Sequence, residues 1–501
     1  MDAVAQDTPS RKTSVGKDAL YLTGSRVLTS IIGVVTSMLL ARFRTLGEYG
    51  TYSQIIMVTD LVTSILLLGL PNSINYFLAK ADTQQERRDF LSVYSTLSTI
   101  LTVVIGVCLY LEMPLIIEHF SNPLIRDFAY VFAVYPWSSL FIHSMGNIGI
   151  VYGKANRLIY YNLMNAMVIL GVLLIAKIAD MSFHQYMCMY MGVMILFAIV
   201  AIIWSHKLSG GLRLKLDFGL VKDIFIYSIP VGLASVIGTV NVELDKLVIG
   251  RFFTVDEYAI FANSARELPV TVVAVSITTV LLPQMVRMLK HGAHNDAIKL
   301  WAHAINISLC FMCLVVGCLF VFAPDIISLF YSEKYVTPES IVIFRIYSCI
   351  LIFRVTYWGI ILNATGNTKF IFYSSLLTLL FNLVGNIASY YMIGFIGPAI
   401  STLVVTIVMS YVQLKFTTRV IKIPFSRVFP WRDIARVLLI TIIFCLVFGA
   451  VKHLLLPDSD RVSSILMSVG LGIVWAALYA LVNMRFVKHS WQHLNANKYD
   501  A

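Results

Sequence analysis

Nine ionisable residues stand inside long apolar stretches of the chain: Arg26, Asp60, Glu243, Asp245, Lys246, Arg266, Glu267, Arg345 and Arg354. A charge at membrane depth costs at least about 2.5–3.5 kcal/mol on insertion scales, so each should face protein, water or a ligand. The arginines offer planar, permanently charged forks that suit anionic groups. The carboxylates can take up a proton or a cation. Glu243 and Lys246 are three residues apart on one helical face, so an internal ion pair competes with a ligand or coupling-ion role. Asp245 projects about 100° away from Lys246 and is the better candidate for a protonatable or cation-binding carboxylate, with Asp60 the second. Arg345 and Arg354 point to opposite faces of one helix, with Arg345 near a span end, where it snorkels, and Arg354 deeper. His143 is read either as a proton relay or as a histidine hydrogen-bonded within the bundle.

Only helices that cross a bilayer can hold these residues where they are. With 58% apolar residues, 13% charged residues and a mean hydropathy of +0.81, the chain cannot hide its apolar surface in one soluble core. The apolar runs are long and apolar on all faces, which specifies helices rather than the alternating segments of a barrel. The first run, Ala19 to Ala41, is too long for a signal-peptide core and stays as a span. Helices are expected at 19–41, 49–79, 90–111, 124–151, 158–179 and 183–204, then at 223–250, 257–286, 299–323, 340–363, 370–392 and 395–420, and finally at 434–455 and 462–484. The fold class is an all-α polytopic membrane protein of about fourteen transmembrane helices. Its expected parts are an N-terminal six-helix lobe at 1–204, a cytoplasmic linker at 205–222, a C-terminal six-helix lobe at 223–421, and two appended helices with a cytoplasmic tail at 422–501.

The two lobes are copies of one another. Arg42-Phe43-Arg44-Thr45-Leu46-Gly47-Glu48-Tyr49-Gly50-Thr51-Tyr52 returns 209 residues later as Arg251-Phe252-Phe253-Thr254-Val255-Asp256-Glu257-Tyr258-Ala259-Ile260-Phe261. Arg-Phe, Thr, Glu-Tyr and a closing aromatic keep their register. At a slightly longer offset Pro71 corresponds to Pro283, and Gly153-Lys154-Ala155-Asn156-Arg157 to Thr365-Gly366-Asn367-Thr368-Lys369. The interval covers six helices, so both copies enter the membrane in the same direction, and parallel repeats of this kind are characteristic of transporters. The cavity is expected between the lobes. Loops on one side hold 25 of the Lys and Arg residues and the opposite loops hold 8, which places both termini in the cytoplasm. The net charge of +11 is mostly this topology signal, with attraction to anionic membrane lipids secondary. Cations scattered over many short loops do not make a nucleic-acid surface.

Leu39-Leu40-Ala41-Arg42-Phe43, the Gly47-Glu48-Tyr49-Gly50-Thr51-Tyr52 link, the Leu68-Gly69-Leu70-Pro71 turn and Asp245-Lys246-Leu247-Val248-Ile249-Gly250-Arg251-Phe252 resemble the polysaccharide-repeat-unit flippases, the Wzx-type branch of the MOP exporter superfamily. The likeness covers essentially the whole chain. It implies a MATE-like pair of lobes in the cell's inner (cytoplasmic) membrane, moving an undecaprenyl-pyrophosphate-linked oligosaccharide from the inner to the outer leaflet by alternating access. A polysaccharide polymerase or glycosyltransferases are possible partners. Arg26, within Ser25-Arg26-Val27-Leu28, looks like the cavity arginine of lipid II flippases and is the candidate for the diphosphate; the other reading is a side chain snorkelling to headgroups. Arg266 resembles the arginine of the eighth helix in the same relatives, unless Glu267 merely neutralises it. With Arg354 and Lys246, these form the candidate substrate-binding set. Asp60, Asp245 and Glu243 are the coupling-ion candidates.

Pro71, Pro230 and Gly232 are candidate hinges, because proline removes a backbone hydrogen bond and crowds the preceding turn. Pro230 is expected to disturb the seventh span and Pro71 the second. The chain has no P-loop and no zinc-spaced His-Glu cluster, so a secondary transporter without cofactor or metal is expected rather than an enzyme. Cys310 and Cys313 form a C-x-x-C inside an apolar helix, where cysteine is a small hydrophobe. Two other functions stand beside the flippase: a MATE-type cation-coupled drug antiporter, and an embedded glycan polymerase or glycosyltransferase, which the short loops disfavour.

Overall fold

A computed structural model describes residues 15–266, 269–455 and 461–496. In chain order its helices are α1 (Val15–Phe43), α2 (Leu46–Leu67), α3 (Ser73–Lys80), α4 (Gln84–Leu111), α5 (Met113–Phe120), α6 (Ala129–Val151), α7 (Ala155–Ile178), α8 (Phe183–Ser209), α9 (Phe218–Phe252) and α10 (Val255–Ser264). They continue with α11 (Val272–Lys290), α12 (His294–Val321), α13 (Ala323–Tyr331), α14 (Pro338–Ile352), α15 (Ile360–Ala364), α16 (Thr368–Ile393), α17 (Gly397–Ile421), α18 (Phe425–Val428), α19 (Trp431–Leu455) and α20 (Arg461–Ala496). Among the described residues, nine helical stretches are long and apolar enough to cross a membrane. The protein is an all-α polytopic membrane protein, as its periodicity and composition require.

Several expected spans are interrupted. The second, read as 49–79, stops at Leu67; Leu68 and Gly69 take positive φ, and a 3-10 turn over Leu70–Asn72 precedes α3. The eighth, read as 257–286, breaks after Ser264 and restarts through a 3-10 turn at Pro269–Thr271. The tenth, read as 340–363, is irregular from Phe353 to Gly359. Conversely, α9 is helical straight through Pro230, so the disturbance expected there is no break; neighbouring groups can re-satisfy a carbonyl freed by proline.

The chain divides into two compact units. One comprises Met1–Ser37, Leu66–Tyr110 and Phe128–Gly232; the other comprises Met38–Ile65, Leu111–Asp127 and Leu233–Ala501. The division runs through α1, α4 and α9, and falls two residues short of the end of α2.

In the first unit α6 packs on α3, α7 and α8. Its tightest crossing joins the broken end of α2 to α9. A Cβ on Gly69 would lie 2.5 Å from the Gly232 Cα, and one on Gly232 would overlap the Leu68 carbonyl. Neither position has room for any side chain, and the φ of +74° at Gly69 adds a conformational demand that glycine meets without strain.

In the second unit α12 is the hub, touching α11, α14, α19 and α20. Trp301, Leu309, Met312 and Cys313 form its core with Phe448, Trp475 and Tyr479 of the last two long helices. Trp475 Nε1 donates to the Leu314 carbonyl at 2.9 Å, and Thr441 and Tyr479 share a 2.9 Å hydrogen bond. At one end, Asp325 pairs with Lys452 and accepts from Ser464 at 2.8 Å and Ser468 at 2.6 Å. The opposite face of α19 leaves Leu439, Ile442 and Leu446 exposed, the apolar surface that lipid covers.

Candidate functional site

Within the second unit lies a cavity of about 270 Å³ whose lining includes Asp245 and Lys246 of α9, Tyr347 of α14, Arg354 and Trp358 of the irregular stretch, and Gln413 of α17. The break in the tenth span belongs to this cavity. Non-helical backbone is tolerated at membrane depth only where it is buried in protein or lines such a space. Two tryptophans hold it open: Trp358 Nε1 donates to the Phe353 carbonyl and Trp301 Nε1 to Thr356 Oγ1, both at 2.8 Å. The break thereby delivers Arg354 to the cavity wall.

Asp245 is only 3% exposed and is surrounded by neutral donors. Asn386 Nδ2 donates to it at 2.6 Å, Thr402 Oγ1 lies 2.8 and 2.7 Å from its two oxygens, and the Tyr347 hydroxyl donates directly. Around this shell Thr402 Oγ1 is 3.0 Å from Asn382 Oδ1, and Asn382 Nδ2 donates to Asn241 Oδ1 at 3.2 Å. One hydroxyl proton cannot serve three oxygens at once, and Asn386 Oδ1 is buried without a hydrogen-bond partner. The hydrogen bonds of the cluster therefore leave acceptor oxygens unserved. That shortfall suits a proton on Asp245 or a hard cation among carboxylate, amide and hydroxyl oxygens. Among the described residues no group of three His, Cys, Asp or Glu side chains is arranged for a metal ion.

The candidates named from the sequence separate. Asp245, Lys246 and Arg354 line one cavity. Glu243 spends its charge on Lys246, with Nζ and Oε2 at 2.6 Å, the internal pair that their spacing allows. Asp60 is an exposed residue of α2 and Arg266 lies in the break after α10; neither lines this cavity. Arg26 sits on α1, and its side chain lies outside the described residues, as does Glu267. Arg345 donates through Nε to the Phe320 carbonyl at 3.0 Å. The His143 Nδ1 is 2.7 Å from the Ser139 carbonyl of its own helix. Pro71 lies in the 3-10 turn, Pro230 within α9, and Gly232 against Leu68 and Gly69.

The sequence reading missed Asn241, Tyr347, Asn382, Asn386 and Thr402. A signal was present: Asn241 with Asp245, and Asn382 with Asn386, are polar pairs four apart in apolar helices, so each pair shares a face.

Residues 15–289 match the model of the family described as polysaccharide biosynthesis protein. The chain is 24% identical over 148 residues to a probable lipid II flippase MurJ of Rhizobium meliloti (strain 1021), a match covering 29% of this chain and 28% of that relative. It is 22% identical over 365 residues to the capsular polysaccharide biosynthesis protein CapF of Staphylococcus aureus, covering 70% and 86%. Among solved structures, a lipid II flippase MurJ in an inward closed conformation superposes with a TM-score of 0.72 at 18% identity, over 93% of this chain and 100% of that one. An inward-facing multidrug resistance MATE family transporter of the MOP superfamily gives 0.62 at 16% identity, over 79% and 94%. These two likenesses identify the fold.

Proposed function

Because the chain belongs to the polysaccharide biosynthesis protein family, we propose that it is a flippase carrying an undecaprenyl-pyrophosphate-linked oligosaccharide from the inner to the outer leaflet for surface polysaccharide assembly. The observation that carries the reading is the polar cavity of the second unit, where a buried carboxylate and two cationic side chains line one space in an otherwise apolar helical chain. Its aromatic and amide lining suits a polar headgroup, while the polyprenyl tail stays in lipid. Arg354 and Lys246, at the wall of this cavity, hold the diphosphate, and Arg26 and Arg266 are the further substrate-binding candidates. Asp245 takes the coupling proton or cation, and Asp60 and Glu243 are the further coupling candidates.

The protein works in the cytoplasmic membrane with both termini inside, as its loop cations indicate. The lobes at 1–204 and 223–421 alternate access by rocking about Pro71, Pro230 and Gly232. A polymerase or glycosyltransferases receive or supply the glycolipid. A cation-coupled drug antiporter of MATE type is the second reading, favoured by the carboxylate inside the cavity.

Translocation of a fluorescent polyprenyl-pyrophosphate oligosaccharide in proteoliposomes, with a cationic dye as control cargo, separates the two. Glycolipid movement that is lost in Arg26→Ala and Arg354→Ala supports the flippase. Dye movement without glycolipid movement assigns the protein to drug export instead.

A further inference from the structure

The duplicated Arg-Phe…Glu-Tyr block has no part in that cavity, yet the structure gives its repeated arginine, threonine, glutamate and tyrosine each a task. Arg42, at the end of α1, donates through Nη1 to the carbonyl of Leu329 at 3.0 Å. Arg251, its counterpart at the end of α9, donates through Nη1 to the carbonyl of Glu118 at 3.0 Å. Glu118 lies in the last turn of α5 and Leu329 in the last turn of α13. These short helices are themselves counterparts, each following a long span and each with proline in its first turn. Each repeat's arginine therefore caps the short helix of the other repeat. Last-turn carbonyls lack intrahelical donors and carry the negative end of the helix dipole, so a guanidinium satisfies them in two ways.

Beneath the arginines the exchange continues. Tyr49 meets Tyr335 edge-on at 6.1 Å, and Tyr258 meets Phe120 edge-on at 6.1 Å. The Tyr49 hydroxyl crosses to Asn263 Oδ1 at 2.7 Å, and the Tyr258 hydroxyl crosses to Met57 Sδ at 3.7 Å. Thr45 with Glu48 and Thr254 with Glu257 cap the starts of α2 and α10, fixing where each tyrosine stands. A Cβ on Gly250 would come within 2.5 Å of Phe120 Cδ1, so that ring needs glycine at its seat.

We infer that the two links and the two short helices form a reciprocal latch closing this end of the molecule, and that cargo passes this end only when both arginine–carbonyl contacts part. The inference goes beyond the flippase reading, since the latch would serve any cargo.

The test uses a full-length background with the seven native cysteines replaced by alanine, carrying spin labels at Ser121→Cys, three residues after Glu118, and Asp256→Cys, five residues after Arg251, both exposed positions. In lipid nanodiscs the closed latch gives one short inter-label distance. Arg251→Ala raises the long-distance population up to about fivefold, the size expected from losing one exposed charge-assisted hydrogen bond. Arg42→Ala does the same from the opposite contact, which a merely local structural role would not do, and lysine at either site restores part of the closed population. If Arg42→Ala leaves the 121–256 distances unchanged, the latch is not reciprocal and the inference falls. Should an alanine variant fail to fold, the lysine variant carries the test, with a smaller shift expected and no shift overturning it. Bridging the two cysteines with a short thiol cross-linker stops translocation of the fluorescent glycolipid or dye until the bridge is cleaved; transport through the bridged protein refutes the latch. The spin-label arm needs no cargo, so its failure is distinct from failure of the flippase reading.

Discussion

The two repeats agree at their links and disagree in their interiors. Thr45-Glu48 and Thr254-Glu257 make the same cap, and Arg42 and Arg251 make the same 3.0 Å contact. Where the second repeat has Asn241 and Asp245, the positions 209 residues earlier hold Ile32 and Thr36; where it has Asn382 and Asn386, the positions 212 residues earlier hold Leu170 and Leu174. Thr36 satisfies its hydroxyl within its own helix, on the Ile32 carbonyl at 2.8 Å. The duplication has kept its links alike and let the positions that line the cavity diverge.

That contrast can be broken most forcefully at Asp245. Asp245→Leu should cost about 3 kcal/mol or more, because Tyr347, Asn386 and Thr402 are left without their buried acceptor, and it should abolish any cation dependence of transport. Thr36→Val, its counterpart, should cost no more than about 1 kcal/mol; thermal unfolding in detergent compares the two, and equal losses would erase the asymmetry. Next comes Asn386→Leu, expected to cost about 1–3 kcal/mol and to weaken the response of melting temperature to added cation.

A third test concerns the short helices, where Asp325 follows Pro324 but Leu115 follows Pro114. Burial alone would raise the Asp325 carboxyl, but the Lys452 ammonium and the Ser468 and Ser464 hydroxyls outweigh it and hold the group below the usual carboxylate range. Its folded pKa is depressed, so its contribution is fully present above the unfolded value of about 4 and is lost as pH falls through the folded value. Wild-type melting temperature should therefore fall on acidification below about pH 4 more steeply than that of Asp325→Asn. Parallel curves would remove Asp325 from the account. The smallest effect is expected at the arginines. Because their contacts are exposed, Arg42→Ala and Arg251→Ala should each cost under about 1 kcal/mol, and the two losses should match within a few tenths.

Much of the architecture was legible because lipid makes hydrophobicity an almost literal readout of helix position. The links, the duplication and the break at Leu68-Gly69-Leu70-Pro71 all follow from local residue types. The break at 353–359 does not, because no proline or paired glycine marks it and its hydrogen bonds come from Trp301, which is distant in sequence, and from Trp358. Pro269 did mark the turn that splits the eighth span, but the apolar residues on either side read as one continuous helix. At the site, Asp245 stood out as a charge in an apolar run, while its neutral partners carried no such cost signal. Tyr347 and Thr402 became recognisable only once α14 and α17 brought them to Asp245.

The crossed arginines have one further consequence. A contact in which each half supplies the donor for the other's acceptor is the arrangement found in isologous homodimers. Here both halves lie on one polypeptide, so each always finds its complement at an effective concentration set by the chain connecting them. Closure is thereby independent of how many copies the membrane holds, and dilution, which would dissociate a two-subunit version, leaves it intact.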